Sequence, residues 1–150
     1  MRLVSLRKDI LKIYSVDPEM LQKSYRPCVL IVKLKYKGHK YDFAVPLRSN
    51  LNPSTPKDQF FPLPTRKSTK AGHRHGIHYV KMFPIKKSFV VKYRTDGNAF
   101  ATLVKETIDK NEKAIIADCQ RYLSEYESGN RPMFCTDIDL LIKTIEEYEK

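Results

Sequence analysis

Residues 28–47 read CVLIVKLKYKGHKYDFAVPL, and the fold follows from how that stretch alternates. Cys28, Leu30, Val32, Leu34 and Tyr36 interleave with Val29, Ile31, Lys33, Lys35 and Lys37, the period-two pattern of a strand whose side chains point to two faces in turn. One face is apolar throughout. The other begins apolar and ends in three lysines, so its far end is expected to project positive charge into solvent. Gly38 interrupts the run, and Tyr41, Phe43, Val45 and Leu47 then alternate with Lys40, Asp42, Ala44 and Pro46. The whole reads as a β-hairpin turning around Lys37 to His39. Pro46 lacks an N–H and predicts an edge, or an exit from pairing, near the end of the second strand.

Working outward, Leu3 to Leu6 is a short apolar run that fits a first strand. Asp9 to Tyr14 fits a helical turn or two, stopped by Asp17-Pro18. Beyond the hairpin, residues 49 to 76 carry Pro53, Pro56, Pro62 and Pro64 among Ser, Thr, Asn, Lys and Arg, and read as a long loop of the kind that usually serves function. Ile77 to Ile85 and Lys87 to Tyr93 read as a second β pair, and Asp96-Gly97-Asn98 as a turn and helix cap. The period then changes. Phe100, Leu103, Val104, Ile108, Ile115, Ile116, Cys119, Tyr122 and Leu123 recur at helical intervals, as two helices breaking near Asn111. Gly129 to Pro132 ends them, and Thr136 with Asp139 three residues on is suited to cap a last helix bearing Ile138, Leu141, Ile142, Ile145 and Tyr148. Early strands followed by late helices predict an α+β fold, a twisted and mainly antiparallel sheet packed by helices, with a helical C-terminal part. At 150 residues, one domain spanning 1–150 is expected.

Charge divides the chain in the same place. The net charge is +11, but residues 1–100 hold 21 basic and 6 acidic side chains whereas residues 101–150 hold 7 and 11. A positive field confined to one part of a compact body points to an anionic partner, and nucleic acid is the commonest. Cys28, Cys119 and Cys135 are odd in number and lack zinc-site spacing, so they read as reduced thiols of a cytoplasmic protein, with Cys28 and Cys119 packed as small hydrophobes. Charged residues break up the N-terminus, which is unlike a signal peptide, and no apolar run has the length of a membrane span.

RNA can be cut without a metal when its own 2′-hydroxyl attacks the phosphate. That needs a proton acceptor, a proton donor and cations for the developing charge. The chain has no Gly-rich phosphate loop, HExxH or dense carboxylate cluster, which argues against NTPase and metallohydrolase classes. Pro46-Leu47-Arg48-Ser49-Asn50 delivers a guanidinium, a hydroxyl and an amide to the start of the basic loop. Such a trio suits a phosphate, or alternatively a strand-end turn satisfying its own backbone. His73-Arg74-His75-Gly76-Ile77-His78 invites a zinc proposal, but Lys70, Arg74 and Lys81 surround it and no carboxylate completes it; RNA contact, an acid–base pair or a solvated loop are the readings left. Tyr25-Arg26 could stack a base and grip a phosphate, or merely cap the core. Lys35, Lys37 and Lys40 with Lys33 on the hairpin, and Lys57, Arg66, Lys67 and Lys70 in the loop, are candidate phosphate contacts or a solvated face.

Tyr25-Arg26-Pro27, the strand into Lys37-Gly38-His39-Lys40-Tyr41, Pro46-Leu47-Arg48-Ser49, Gly76-Ile77 and Lys81-Met82-Phe83-Pro84-Ile85 together resemble the toxins of type III toxin–antitoxin systems. These are the ToxN/AbiQ superfamily, and the likeness extends to its CptN and TenpN branches. The resemblance implies a sheet core distantly similar to Kid/MazF toxins and a metal-independent, sequence-selective endoribonuclease that needs no cofactor and leaves 2′,3′-cyclic phosphate ends. Its implied partners are phage or cellular RNA substrates and an RNA antitoxin of pseudoknot repeats, held in an inactive toxin–RNA assembly. By position the resemblance makes Ser49 the active serine, Tyr25 the active tyrosine and Lys33 the active lysine. Here Arg48 precedes that serine and Asn50-Leu51 follows it, unlike the ToxN pattern of Thr before and Lys after, so the cationic group falls among Arg48, His75 and Lys81. The charge pattern alone would equally suit a non-catalytic module binding RNA or DNA.

Overall fold

The computed structural model describes residues 1–20 and 27–148. Its centre is the expected hairpin. Strands β2 (Cys28–Tyr36) and β3 (His39–Leu51) run antiparallel, in register from Cys28 opposite Pro46 to Tyr36 opposite His39. Lys37 and Gly38 form the two-residue turn, with φ of 50° and 78°, and positive φ at both central residues matches the turn's twist to that of the strands. The alternation predicted for β2 holds only halfway. The register shifts between Ile31 and Leu34, and such a bulge inserts a residue that reverses the phase of the strand beyond it. Leu34 and Tyr36 therefore join Val29 and Ile31 in one core cluster, Cys28 and Leu30 enter another, and Val32 is half exposed.

β3 has 13 residues and changes neighbours along its length. On the edge away from β2, its Asp42–Ala44 portion pairs with β6 (Phe83–Ile85) and its Leu47–Leu51 portion with β5 (Arg74–His78). Pro46 falls between those two partners, so the exit predicted from its missing N–H is a handover rather than an end. The sheet order is β4-β5-β3-β2-β1-β7, every pairing antiparallel, with β1 at Arg2–Leu6, β4 at Phe60–Leu63 and β7 at Val90–Lys92. Two expectations are corrected. The stretch 49–76 is not one long loop, because β3 runs on to Leu51 and β4 forms an outer strand that tolerates Pro62. Residues 77–93 do not make a β pair of their own, since β5 and β6 both pair with β3 and β7 pairs with β1.

Helices cover both faces. α2 (Ala99–Lys110) and α3 (Glu112–Glu127) supply Val104, Ile108, Ile115, Cys119 and Leu123 to the cluster that includes Val29, Phe43, Val45, Leu47 and Ile77. α1 (Lys8–Leu11), the 3-10 turn Lys12–Val16 and α4 (Ile138–Tyr148) cover the opposite face, where Ile10, Tyr14, Leu141 and Ile145 pack against Val4, Leu30, Ala44 and Phe83. The break at Asn111 and the cap at Asn98, whose side chain accepts from Ala101 N at 2.9 Å, are as predicted. The cap of α4 is Asp137, which accepts from Leu140 N at 3.1 Å, while the Thr136 hydroxyl donates to the Met82 carbonyl instead. Cys28 and Cys119 are buried and form no disulfide, and burial pushes the Cys119 thiol up to about 12, which leaves it inert. Among the described residues no helix is long and apolar enough to cross a membrane.

Candidate functional site

Where β3 hands over to β5, a cleft of about 360 Å³ opens, lined by Pro18, Glu19, Met20, Arg48, His78, Lys81 and Phe134. Each wall has a local cause. Arg48 lies opposite Gly76 in the β3–β5 ladder, and the two-residue stagger of a strand puts His78 on the same side as Gly76. The chain then tightens into the 3-10 turn Tyr79–Lys81, closed by Met82 N donating to the Tyr79 carbonyl at 3.0 Å, which brings Lys81 round to the cleft. Asp17 fixes the opposite wall. Its carboxylate is buried and accepts from Glu19 N at 2.9 Å and from Asp137 N at 2.7 Å, tying the Pro18–Met20 turn to the start of α4. A buried carboxylate with two N–H donors is satisfied, and so it can serve as a fixed post.

Lys81 is buried as well. Its ammonium donates to the Glu19 carbonyl at 3.0 Å, the Phe134 carbonyl at 2.8 Å and the Glu19 carboxylate at 3.4 Å. Three donors are thereby engaged, so Lys81 acts first as a clamp and as a source of field, and only the longest of its contacts could give way to an incoming anion. His78 is the opposite case. Its Nδ1 is buried with no hydrogen-bond partner among the described residues. Burial, then the charges of Arg48 and Lys81, push its pKa down to about 4. At neutral pH the cleft therefore holds an uncharged imidazole with an unused ring nitrogen beside two cations, an arrangement that suits an anion carrying a proton to be moved. Ser49 is the next residue of β3, half-buried, at an irregularity in the β3–β5 register between Arg48 and Leu51. Such irregularities are found where a strand re-aims a side chain.

The sequence-derived candidates separate into groups. Arg48, His78 and Lys81 come together, whereas Ser49, one residue further along β3, is not among the residues that line the cleft. His75 does not join them: three residues from His78 on one strand, it lies on the other face, its ring 5.6 Å from that of Phe100 and its Nδ1 donating to the Pro64 carbonyl at 2.7 Å. Burial holds the His75 pKa below its ordinary value, against that carbonyl. The three histidines of the His73–His78 segment thus do not converge on a common point. Lys33 sits at the β2 bulge, 3.6 Å from the Asp42 carboxylate, and Asp42 precedes Ser49 by seven residues, roughly 23 Å along a strand. Lys33 is therefore not part of the cleft. Lys37 pairs with Asp139 of α4 at 2.9 Å, anchoring the hairpin tip. Asn50 is an organiser of the basic loop: its side chain accepts from Lys70 N at 2.8 Å and its carbonyl lies 3.4 Å from His73 Nδ1. Tyr25 and Arg26 lie outside the described residues.

The remaining cations are exposed. Lys35 and Lys40 stand opposite each other across the hairpin, a like-charge pair that a bound anion would relieve. Lys57, Lys67 and Lys70 reach solvent, Arg66 stacks over Phe100 at 4.9 Å, and Arg74 lies 5.7 Å from the Phe60 ring centroid. Sequence reasoning missed Asp17, Glu19 and Phe134, whose roles depend on contacts across 53 to 120 residues. It also missed a second basic concavity between β1 and β7, lined by Arg7, Lys8, Lys92 and Arg94 among others. There the only sequence signal was the general excess of positive charge.

No family model matches the sequence, and no curated protein does. Solved structures do match, along the whole chain. One is a toxin from a bacterial type III toxin–antitoxin system in which a non-coding RNA pseudoknot selectively inhibits the toxin; it has a TM-score of 0.77 and 14% identity over 99% of this chain and 98% of that one. Another belongs to a bacterial antiviral system regulated by a processed non-coding RNA, with a TM-score of 0.75 and 16% identity over 100% of both chains. A third is AbiQ, a lactococcal anti-phage endoribonuclease of the type III toxin–antitoxin system, with a TM-score of 0.71 and 14% identity over 99% of this chain and 98% of that one. The α+β architecture of this chain is the fold of these three proteins.

Proposed function

We propose that this chain is a metal-independent, sequence-selective endoribonuclease toxin of the type III kind, held inactive by its own processed RNA antitoxin and acting on cellular or phage RNA in the cytoplasm. The observation that carries the reading is the cleft, where an uncharged His78 imidazole, its Nδ1 without a hydrogen-bond partner among the described residues, is set beside Arg48 and Lys81. The whole-length likeness to proteins of that kind supports it.

In this reading Arg48 grips the scissile phosphate, and Lys81 contributes its charge while holding the walls together. The anion offsets the two cations that depress the His78 pKa, so substrate itself raises the basicity of the imidazole. His78 then takes the proton of the 2′-hydroxyl. The 2′-oxygen bonds to phosphorus, the bond from phosphorus to the 5′-oxygen breaks, and the proton taken by His78 is passed on, with Ser49 assigned as the relay by its position in the sequence, to the departing 5′-oxygen. The products are a 2′,3′-cyclic phosphate and a 5′-hydroxyl, with no metal required. By its position in the sequence alone, Tyr25 is the counterpart of the active tyrosine of such toxins.

Purified protein given a single-stranded RNA in EDTA should cut it and leave cyclic phosphate ends. His78→Gln and Ser49→Ala should each slow cleavage by about 100-fold or more, the scale of acid–base assistance, and still bind RNA. A strict requirement for added divalent metal would overturn the mechanism. Binding without cleavage by the wild type would leave a basic RNA-binding module in its place.

A further inference from the structure

Phe134 is a poor residue for the position it holds. It is 65% exposed, beside Met133 at 79%, and its φ is +66°, a left-handed conformation that costs a bulky side chain energy and marks a site under constraint. The surrounding segment is nevertheless tied down on all sides. Lys81 holds the Phe134 carbonyl at 2.8 Å, Cys135 N donates to the Pro132 carbonyl at 3.3 Å, Thr136 N donates to the Val80 carbonyl at 3.2 Å, and the Arg131 guanidinium lies 4.2 Å over the Tyr126 ring. The same buried ammonium thus fixes the strained residue and charges the cleft, and Phe134 forms part of that cleft's wall with Arg48 and His78.

We infer that Phe134 is a stacking platform for an unpaired nucleobase, positioning one nucleotide of a single strand while Arg48 holds a neighbouring phosphate. An exposed ring on a backbone held beside a cationic cleft offers a π-face to any base and an electrostatic anchor to the nucleic-acid backbone, the combination by which single-stranded nucleic acid is held. A glycine would suit the backbone better and a polar residue would suit the solvent better, so the fold alone does not account for the phenyl group. The inference rests on the reading of the cleft as an RNA site and adds the residue that seats a base there.

The test measures affinity of the full chain for a 12-nucleotide single-stranded RNA carrying 2′-fluoro groups, which cannot be cleaved, together with the melting temperature of each variant. Phe134→Leu keeps an apolar side chain but has no π-face, and should weaken binding by about 5- to 150-fold, the range of one lost base stack. Phe134→Trp should bind at least as tightly as wild type. Phe134→Gly should lose the same affinity yet melt no lower than wild type, because glycine adopts positive φ freely. Wild-type affinity in the Leu and Gly variants would overturn the inference and leave the nuclease reading intact, as would a Gly variant that loses only thermal stability or changes only its state of self-association. Failure of the wild-type protein to bind the oligonucleotide would overturn both readings.

Discussion

His78, the proposed proton acceptor, also bears on stability. Its pKa is about 4 in the folded chain, against about 6.5 for an unperturbed imidazole. The unfolded chain therefore binds the proton more readily, and stability rises with pH wherever that is so. The contribution of neutral His78 is complete above about pH 6.5, declines as pH falls, and is lost near pH 4, a difference of about 3 kcal/mol. Urea unfolding midpoints measured from pH 4 to 8 should show this slope, and His78→Gln should flatten it; an unchanged slope in that variant would mean the imbalance lies elsewhere. His75, whose pKa is also lowered, contributes a slope of the same sign that the substitution leaves in place. Both histidines stood out in the sequence. Their division between a cleft and a buried shelf was not read there, because residues up to 76 carry the signature of a loop and the two histidines fall on opposite faces only once Arg74–His78 is a strand.

At the scale of elements, the β4–β5 ladder shows why one glycine is required. Gly76 lies opposite both Arg48 and Pro62, and a Cβ there would come 2.7 Å from the Phe61 carbonyl oxygen and 2.9 Å from the Phe60 ring. A backbone carbonyl cannot step aside as the end of a flexible side chain can. Gly76→Ala should therefore destabilise the chain by about 1–3 kcal/mol, the usual cost of overpacking, and should depress cleavage by shifting Arg48 and His78 together; a denaturation midpoint equal to wild type would show that β4 is free to yield. The hairpin was legible because its alternation and its Lys-Gly turn are local. β4 was not, because Pro62 and Pro64 carry the signature of a loop and only the neighbouring β5 makes Phe60–Leu63 a strand. The bulge in β2 was hidden for the same reason, since both phases of its alternation are apolar at the start and only packing selects the face for Leu34 and Tyr36.

At the scale of the whole molecule, the cations divide into those free to meet the proposed RNA and those that hold the protein together. Lys67 and Lys70 are exposed on the basic loop, whereas Lys37 is paired with Asp139 across the hairpin tip. Each phosphate contact to a single strand contributes about 0.7 to the slope of log affinity against log salt. The Lys67→Ala/Lys70→Ala double variant should lower that slope by about 1.4 without altering the preferred sequence, and Lys37→Gln should leave it unchanged. A reduced slope in the Lys37 variant would mean that its ion pair opens on binding. Composition and periodicity by themselves determined the class of the fold, the hairpin, the helix boundaries near Asn98 and Asn111, and the confinement of positive charge to the first hundred residues. These depend on neighbours a few residues apart. The tertiary structure alone decided which charges meet, because the cleft joins Glu19, Arg48, His78, Lys81 and Phe134 from separate parts of the chain. A lysine in a run of sequence carries the same charge wherever it stands; its burial and its acceptors are fixed only when distant segments close around it.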